Sequence, residues 1–420
     1  MAPILRLAAR SVLNRKTTAL LTVMSIALSV TLLLGVERIR TEARVGFANT
    51  ISATDLIVGA RSSSVQLLLY SVFRIGEPTN NVSWDSYQAF ATHPEVDWTI
   101  PISLGDSHRG YRVMGTDSNY FEHYRYSKDR GLVFAEGNAL SELFDVVLGA
   151  EVAAALDYQL GESIVVSHGI GATSFSSHAN APFTVAGILK KTGTPVDRTV
   201  HITLQGVEAM HADWQQGAPI PGRHTPTDQL VTQQYEPDQI TAFLVGLKSR
   251  IATFQVQRQI NEYRGEALLA IIPGVALQQL WDLVSVVELA LLAVSAFVVL
   301  TGLLGMLTAI TTSLNERRRE MAILRAVGAH PWHIFALLLS EAALLAILGV
   351  TVGLGLIYLL LWVAQPMIEH QFGVVVGISP PTLYDGLIAI IVVVLAVILA
   401  AAPAFRAYRN SLADGMTIKT

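Results

Sequence analysis

Residues 17–36 read TTALLTVMSIALSVTLLLGV, twenty positions without a charged side chain. Wound as an α-helix, at about 1.5 Å per residue, the run is about 30 Å long, the thickness of a bilayer's hydrocarbon core. Three further runs lie toward the other end of the chain. Val286 to Thr312 is interrupted only by Glu288, and Ile334 to Ala364 only by Glu341. Leu387 to Ala402 is uncharged, and extending it back to Tyr384 adds Asp385. The expected fold class is therefore an α-helical membrane protein with four transmembrane helices, at 17–37, 282–312, 332–364 and 384–403. A large extracytoplasmic domain, 38–281, is inserted between helices one and two.

Composition agrees. Only 15% of the 420 residues are charged and 51% are hydrophobic, whereas soluble domains carry about 25% charged residues. A disordered chain or a nucleic-acid binder needs more charge than this. The chain has no cysteine, so disulfides, thiolate metal sites and a cysteine nucleophile are excluded. The first apolar run has one competing reading, a cleaved secretory signal. It is longer than the apolar core of about 7–15 residues usual for a signal, and 16 residues precede it. In those residues, 1–16, Ile4, Leu5, Ala8 and Val12 share one helical face while Arg6 and Arg10 share another. That pattern predicts an amphipathic helix on the membrane surface leading into an uncleaved anchor.

The net charge of −4 divides unevenly. Residues before the first span, the loop 313–331 and the tail 404–420 together hold eleven basic and three acidic residues, a net +8. Residues 37–282 hold eighteen basic and twenty-six acidic, a net −8, and the short loop 365–383 has no Lys or Arg. The positive-inside rule then puts both termini and the loop 313–331 in the cytoplasm, with 38–281 and 365–383 outside.

The external segment interleaves strand and helix patterns, so a mixed α+β domain is expected. Strand-like runs are Asp55–Gly59, Trp98–Leu104, Tyr111–Gly115, Val146–Gly149, Ser163–Ser167, Phe183–Leu189, Thr199–Leu204 and Ala242–Leu247. Helical patterns are Ser83–Thr92, Ala150–Tyr158 and Ala252–Tyr263. A change of texture at 131, and the Pro/Gly-rich end near 225, suggest a lobe at about 131–225 inserted in a larger lobe at about 40–130 and 230–280. The residues Val275–Leu283 lead into the second span, either as continuous helix or as a loop.

Recognised catalytic patterns are absent. The chain contains no G-x-x-x-x-G-K-S/T, no G-x-S-x-G and no H-E-x-x-H. The external segment has eight histidines, among them His168, His178, His201 and His211. None is paired at i, i+4 or at another tight ligand spacing, so no metal site is expected, with a weak metal or substrate contact near His168 and His178 left open. Glu341 falls about 10 Å into the third span. A proton-coupled carrier would show more such groups, so Glu341 is expected to serve packing or hydrogen bonding.

The most specific segment is Ser313–Ala329, SLNERRREMAILRAVGA. It predicts a short helix stopped by Gly328, with Glu316 and Glu320 one turn apart, Arg317, Arg318 and Arg319 between them, and Met321, Leu324 and Gly328 as a small apolar patch. A basic cluster that only marks the cytoplasmic side needs the arginines, but neither the glutamates nor the patch. A docking helix uses all of them. Elsewhere, Ser25-x-x-x-Ser29 and Gly349-x-x-x-Gly353 are small-residue patterns suited to close helix packing, within the chain or between chains.

Ser313–Ala329 resembles the coupling region of the FtsX-like/MacB-like permease family of ABC transporters. The family pattern is close to E-R-(R/K)-x-E-(I/M)-x-(I/L)-L-(R/K)-A-(I/V/L)-G-A. Glu316, Arg317, Arg318, Glu320, Met321, Ile323, Leu324, Arg325, Ala326, Val327, Gly328 and Ala329 fit it. Residues 14–20 and 403–407 with Asp414 resemble the family's first-span start and C-terminal end. Residues 55–59, 148–153 and 185–189 resemble pieces of the MacB-like periplasmic core domain. The resemblance implies a permease subunit, not an enzyme, that binds no cofactor itself. ATP and Mg would sit on a cytoplasmic ABC ATPase partner, a separate subunit, since only 16 residues precede the first span. It also implies a second permease chain, identical or paralogous, a periplasmic adaptor or cargo protein, the lipid bilayer as surroundings and a bacterial inner membrane location. In this family ATP binding moves the coupling helix, which moves the external domain for export or extraction of a cargo, a mechanism called mechanotransmission. Two alternatives remain at this stage: a signalling permease that regulates a cell-wall hydrolase, and a membrane-anchored periplasmic enzyme.

Overall fold

The computed structural model describes residues 2–127, 129–169, 178, 180–215, 218–220, 225–316, 318–372 and 379–413. The chain forms two compact units, residues 1–42, 285–367 and 376–420 in one, and 43–284 with 368–375 in the other.

The first unit is helical. Among the described residues, four helices are long and apolar enough to cross a membrane: Lys16–Thr50, Pro273–Glu316, Pro331–Phe372 and Leu383–Ala413. Each contributes to one core. Ile26, Val30 and Leu34 meet Leu303, Met306 and Ile310, Ala342, Ala346 and Val350, and Val392, Ala396 and Ala400. The opposite faces leave large apolar side chains such as Leu21, Leu289, Phe297, Trp362 and Ile390 exposed, as lipid-facing positions are. The helix Ala2–Asn14 precedes them. Its Ala8 is buried and Arg6 and Arg10 are exposed, the two faces expected of an amphipathic helix.

The helices overrun the apolar runs. The first continues past 37 to Thr50, because Glu37, Arg38 and Arg40 are compatible with helix and Glu37 and Arg40 pair along it. Arg40 donates to Glu37 at 2.8 Å and approaches Glu288 at 3.6 Å. The second begins at Pro273, a residue suited to the first helical position because it has no N–H to leave unpaired. Val275–Leu283 is thus continuous helix and not a loop.

The second unit is a mixed α/β domain. Its eleven-stranded sheet runs Leu268–Ile271, Leu56–Ala60, Ala242–Leu247, Val96–His108, Tyr111–Thr116, Thr199–Thr203, Asp145–Leu148, Phe183–Leu189 and Phe134–Gly137, with Ser167–His168 and Ser163–Ile164 added at the side. Two pairs are parallel, Thr199–Thr203 with Tyr111–Thr116 and Phe183–Leu189 with Asp145–Leu148. Side chains of a strand alternate between faces, and here both faces are covered. Ile57 and Leu244 join the helix Ser64–Val72 in one cluster. Leu56, Val58, Phe243 and Val245 join Trp84–Ala91 and Thr253–Asn261 in another.

Residues 131–225 have a cluster of their own around Val146, Leu148, Phe183, Val200, Ile202 and Met210, which also takes Tyr111 and Val113. The strands of this segment nonetheless continue the common sheet through Tyr111–Thr116. The longest strand, Val96–His108, carries a register shift between Leu104 and Ser107. A bulge of this kind turns side chains that would otherwise point alternately, and Asp106, Ser107 and His108 are all buried in succession.

Candidate functional site

The segment Ser313–Ala329 contributes the helix Arg318–Ala326. Its end is closed by two bonds, Gly328 N–H to the Arg325 carbonyl and Ala329 N–H to the Leu324 carbonyl, both 3.0 Å. The turn needs φ +101° at Gly328, which a side chain resists. The next helix starts at Pro331, where the His333 ring accepts from the His330 N–H at 3.0 Å.

The structure divides the apolar residues of this helix. Met321 packs, as Leu314 and Phe335 do, against the cluster of Ile334, Leu338, Ala404 and Ala407. Leu324 and Arg325 are half-buried and Glu320 and Gly328 exposed. Ile323 is 58% exposed and Val327 83%, so these two present apolar surface outward while Met321 anchors the helix. Arg317 and the side chains of Glu316, Arg318 and Arg319 lie outside the described residues.

The small-residue patterns pack within the chain. A Cβ on Gly349 would stand 2.6 Å from Ile26 Cγ2, and one on Gly353 2.8 Å from the Ala27 carbonyl oxygen. Thr31 donates to the Gly353 carbonyl at 3.0 Å. Ser29 donates to the Val298 carbonyl at 3.1 Å, and a Cβ on Gly302 would lie 2.7 Å from Ser29 Oγ and 3.5 Å from Ser25 Oγ. Gly353→Leu is therefore expected to cost about 1–3 kcal/mol through overpacking, read as a lower melting temperature of the full chain in detergent. Gly355→Leu, where a Cβ meets open space, serves as the comparison. Equal effects of the two would contradict the close packing.

Glu341 is 6% exposed. It borders a small open pocket together with Arg15, Thr18, Thr22 and Ser313, polar groups that suit a hydrogen-bonding role. At the other end of the bundle, Arg38 and Asp385 form a buried ion pair at 2.7 Å. The Arg38 guanidinium also donates to the Ser379 carbonyl at 2.7 Å and to Tyr358 Oη at 2.8 Å.

In the large domain, three of the dispersed histidines come together. Asp106, His168, His178 and His211 each offer one ligand-type atom, and these atoms lie within 4.8 Å of one another. Asp106 comes from the bulged strand, His168 from Ser167–His168 paired to it, and His211 from the C-terminal end of Leu204–Met210. His168 Nδ1 is 3.0 Å from Asp106 Oδ1, and that contact raises its pKa above the ordinary value. His178 is fully buried, with no well-formed hydrogen bond at either ring nitrogen beyond a weak approach to the Met210 backbone. Burial, then the neighbouring His211, pushes its pKa down to about 4. The sequence reading of no metal site rested on spacing along the chain. That reading left open a weak contact near His168 and His178; the pairing of His168 with Asp106 and the position of His211 at the end of its helix come from tertiary structure. His201 stays apart, buried against Tyr120 and Phe121, with Nδ1 3.1 Å from the Val147 carbonyl.

One helix, a large mixed α/β domain and three more helices, with a short helix between the second and third, define a polytopic permease of the ABC transporter type. The chain belongs to the MacB-like and FtsX-like permease family. The family model described as MacB-like periplasmic core domain matches residues 19–263, and that described as FtsX-like permease C-terminal matches residues 292–412. Among curated proteins, the pyoverdine export ATP-binding/permease protein PvdT of Pseudomonas fluorescens is 23% identical over 312 residues, covering 71% of this chain and 44% of that protein. The chain thus spans about half the length of the curated relatives it matches. The periplasmic region of MacB from Actinobacillus actinomycetemcomitans is 12% identical with a TM-score of 0.33, covering 55% of this chain and 94% of that one. The extracellular domain of the transporter YknZ from Gram-positive bacteria is 13% identical with a TM-score of 0.30, covering 52% and 99%.

Proposed function

We propose that this chain couples ATP binding and hydrolysis by a cytoplasmic ABC ATPase to movements of its external domain, for export or extraction of a cargo. The carrying observation is the helix Arg318–Ala326 between the second and third spans, anchored by Met321 and presenting Ile323 and Val327 outward. An exposed apolar pair beside charged residues suits docking onto a protein partner. The charge partition supports cytoplasmic termini and an external large domain. The unbroken helix Pro273–Glu316 supports mechanical transmission, because a helix resists bending where a loop would absorb the movement. The word export in the relatives' names supports the direction. In this reading ATP and Mg bind the ATPase and not this chain, and two permease chains act together in a bacterial inner membrane.

The test is recovery of ATPase activity with the full chain. The chain is purified in mild detergent from membranes of its native cell, and co-eluting ATP hydrolysis is measured for wild type and for Ile323→Asp with Val327→Asp. Both positions are exposed, so the substitutions carry little folding cost. Activity should accompany the wild type and fall about tenfold or more in the variant, equivalent to about 1.4 kcal/mol of docking energy. Undiminished association would remove this helix as the docking element. Absence of ATPase activity from the wild-type preparation would remove the transporter reading.

A further inference from the structure

We propose that Asp106, His168, His178 and His211 form a binding site for a zinc-class divalent ion in the large domain. The inference goes beyond the transport reading and does not depend on it.

Three imidazoles and one carboxylate are a donor set suited to Zn²⁺, which takes nitrogen and oxygen ligands in tetrahedral arrangement. The ring planes fit a common centre. His178 and His211 stand at 79° with centroids 4.6 Å apart, His168 and His211 at 81° and 5.6 Å, and His168 and His178 at 82° and 6.3 Å. Ligand atoms around a tetrahedral zinc, with bonds of about 2.1 Å, lie about 3.4 Å from one another. The cluster, within 4.8 Å throughout, needs side-chain rotations of about an ångström to close.

The hydrogen bonds around the cluster select the right atoms. His211 Nδ1 donates to the Val207 carbonyl at 2.8 Å. This fixes the tautomer and leaves the lone pair on Nε2, which faces Asp106 Oδ1 at 3.8 Å. A backbone carbonyl behind a ligating histidine is the usual outer partner of a metal site. His178 supplies the independent observation. A fully buried imidazole with no well-formed hydrogen bond at either nitrogen, beyond a weak approach to the Met210 backbone, costs about 1–3 kcal/mol, and a bound cation would offset that cost. Its backbone is held by bonds to Val166 and Ala181, so the ring is aimed at the cluster by the fold.

The Trp214 ring closes one side, with its centroid 4.6 Å from that of His178 and 5.2 Å from that of His168. The side chain of His168 is 39% exposed and opens the site to solvent, which permits reversible loading. Mg²⁺ and Ca²⁺ prefer six or more oxygen ligands and should not compete.

The test uses the full chain in detergent, purified by a tag without histidine and stripped with chelator. Cobalt is added as a spectroscopic stand-in and zinc as the competitor. One cobalt per chain should give the intense visible bands of a tetrahedral site, and zinc should abolish them. Zinc should also raise the melting temperature of the large domain, since a ligand that binds only the folded state stabilises it. His178→Ala and His211→Ala should weaken zinc binding by at least about a hundredfold, the upper end for losing even an outer partner of a metal site. His168→Gln, at the most exposed ligand, guards against misfolding: it should melt like the stripped wild type and lose the zinc-induced shift. Absence of the cobalt bands, or a zinc-induced shift that survives in His168→Gln, would overturn the site.

Discussion

Replacing Arg38 with alanine should destabilise the helical unit by about 3–5 kcal/mol, the usual cost of leaving a buried charge without its partner. Arg38 is 7% exposed and Asp385 3%. Their contact joins the first spanning helix to the start of the fourth. Asp385 also accepts from the Thr382 N–H at 2.8 Å, and Ser379 donates to Glu42 at 2.6 Å. The Arg38 guanidinium sits 4.9 Å from the centroid of the Tyr358 ring on the third helix. One side chain therefore ties three helices at one end of the bundle. Asp385→Ala should cost a similar amount, because it leaves the guanidinium as the uncompensated charge. Arg38→Met with Asp385→Leu should cost less than the sum of the single variants, since no charge is then stranded. The measurement is the melting transition of the full chain in detergent. Single variants that melt like the wild type would show that the pair carries no net stability.

Acid should weaken the large domain through His201. This ring is fully buried, and burial, with the nearby Arg74 adding to it, lowers its pKa from 6.5 to about 3. The folded state holds it neutral, whereas the unfolded chain takes up a proton below about pH 6.5. Its contribution is therefore intact above pH 6.5 and lost as pH falls toward 3. At about 1.4 kcal/mol per unit, the loss reaches about 3 kcal/mol by pH 4. His108 and His178 shift in the same direction through burial. Asp117 and Glu208, each raised to about 7 by burial, and Asp197, also raised by burial, oppose them, because protonation favours their folded forms, so the His201 contribution is read as the difference between variant and wild type. His201→Gln retains a donor for the Val147 carbonyl and removes the titration. Unfolding of this variant by urea at pH 7 and pH 4 should show a smaller loss than in the wild type. An equal loss would place the acid sensitivity elsewhere.

The resemblance drawn from Ser313–Ala329 and the matched family agree, and the reason is local. A spanning helix must bury its own backbone bonds, so its length and apolarity are written contiguously, as at 17–36. The stop at Gly328 is likewise a local backbone requirement, visible as a glycine followed by His330-Pro331. Strand runs such as Phe183–Leu189 and Ala242–Leu247 were legible because both are dense in apolar residues. The strand Leu268–Ile271 and the helix Ser64–Val72 are also apolar, but at four and nine residues they are too short for periodicity to distinguish strand from helix. The apolar patch on the helix Arg318–Ala326 is legible by residue type alone. Which members face outward depends on the packing of Met321 against Ile334 and Ala404, residues distant in sequence.

The sequence by itself determined the four apolar helices, the charge asymmetry and the short helix between the second and third of them, because each is a property of neighbouring residues. Tertiary structure alone decided which charges and histidines meet. Arg38 and Asp385 are 347 positions apart and His168 and Asp106 are 62 apart. No periodicity along the chain encodes such distances. They follow from helix packing around Gly349 and Gly353 and from a strand whose register shifts after Leu104, and both are set by contacts across the fold.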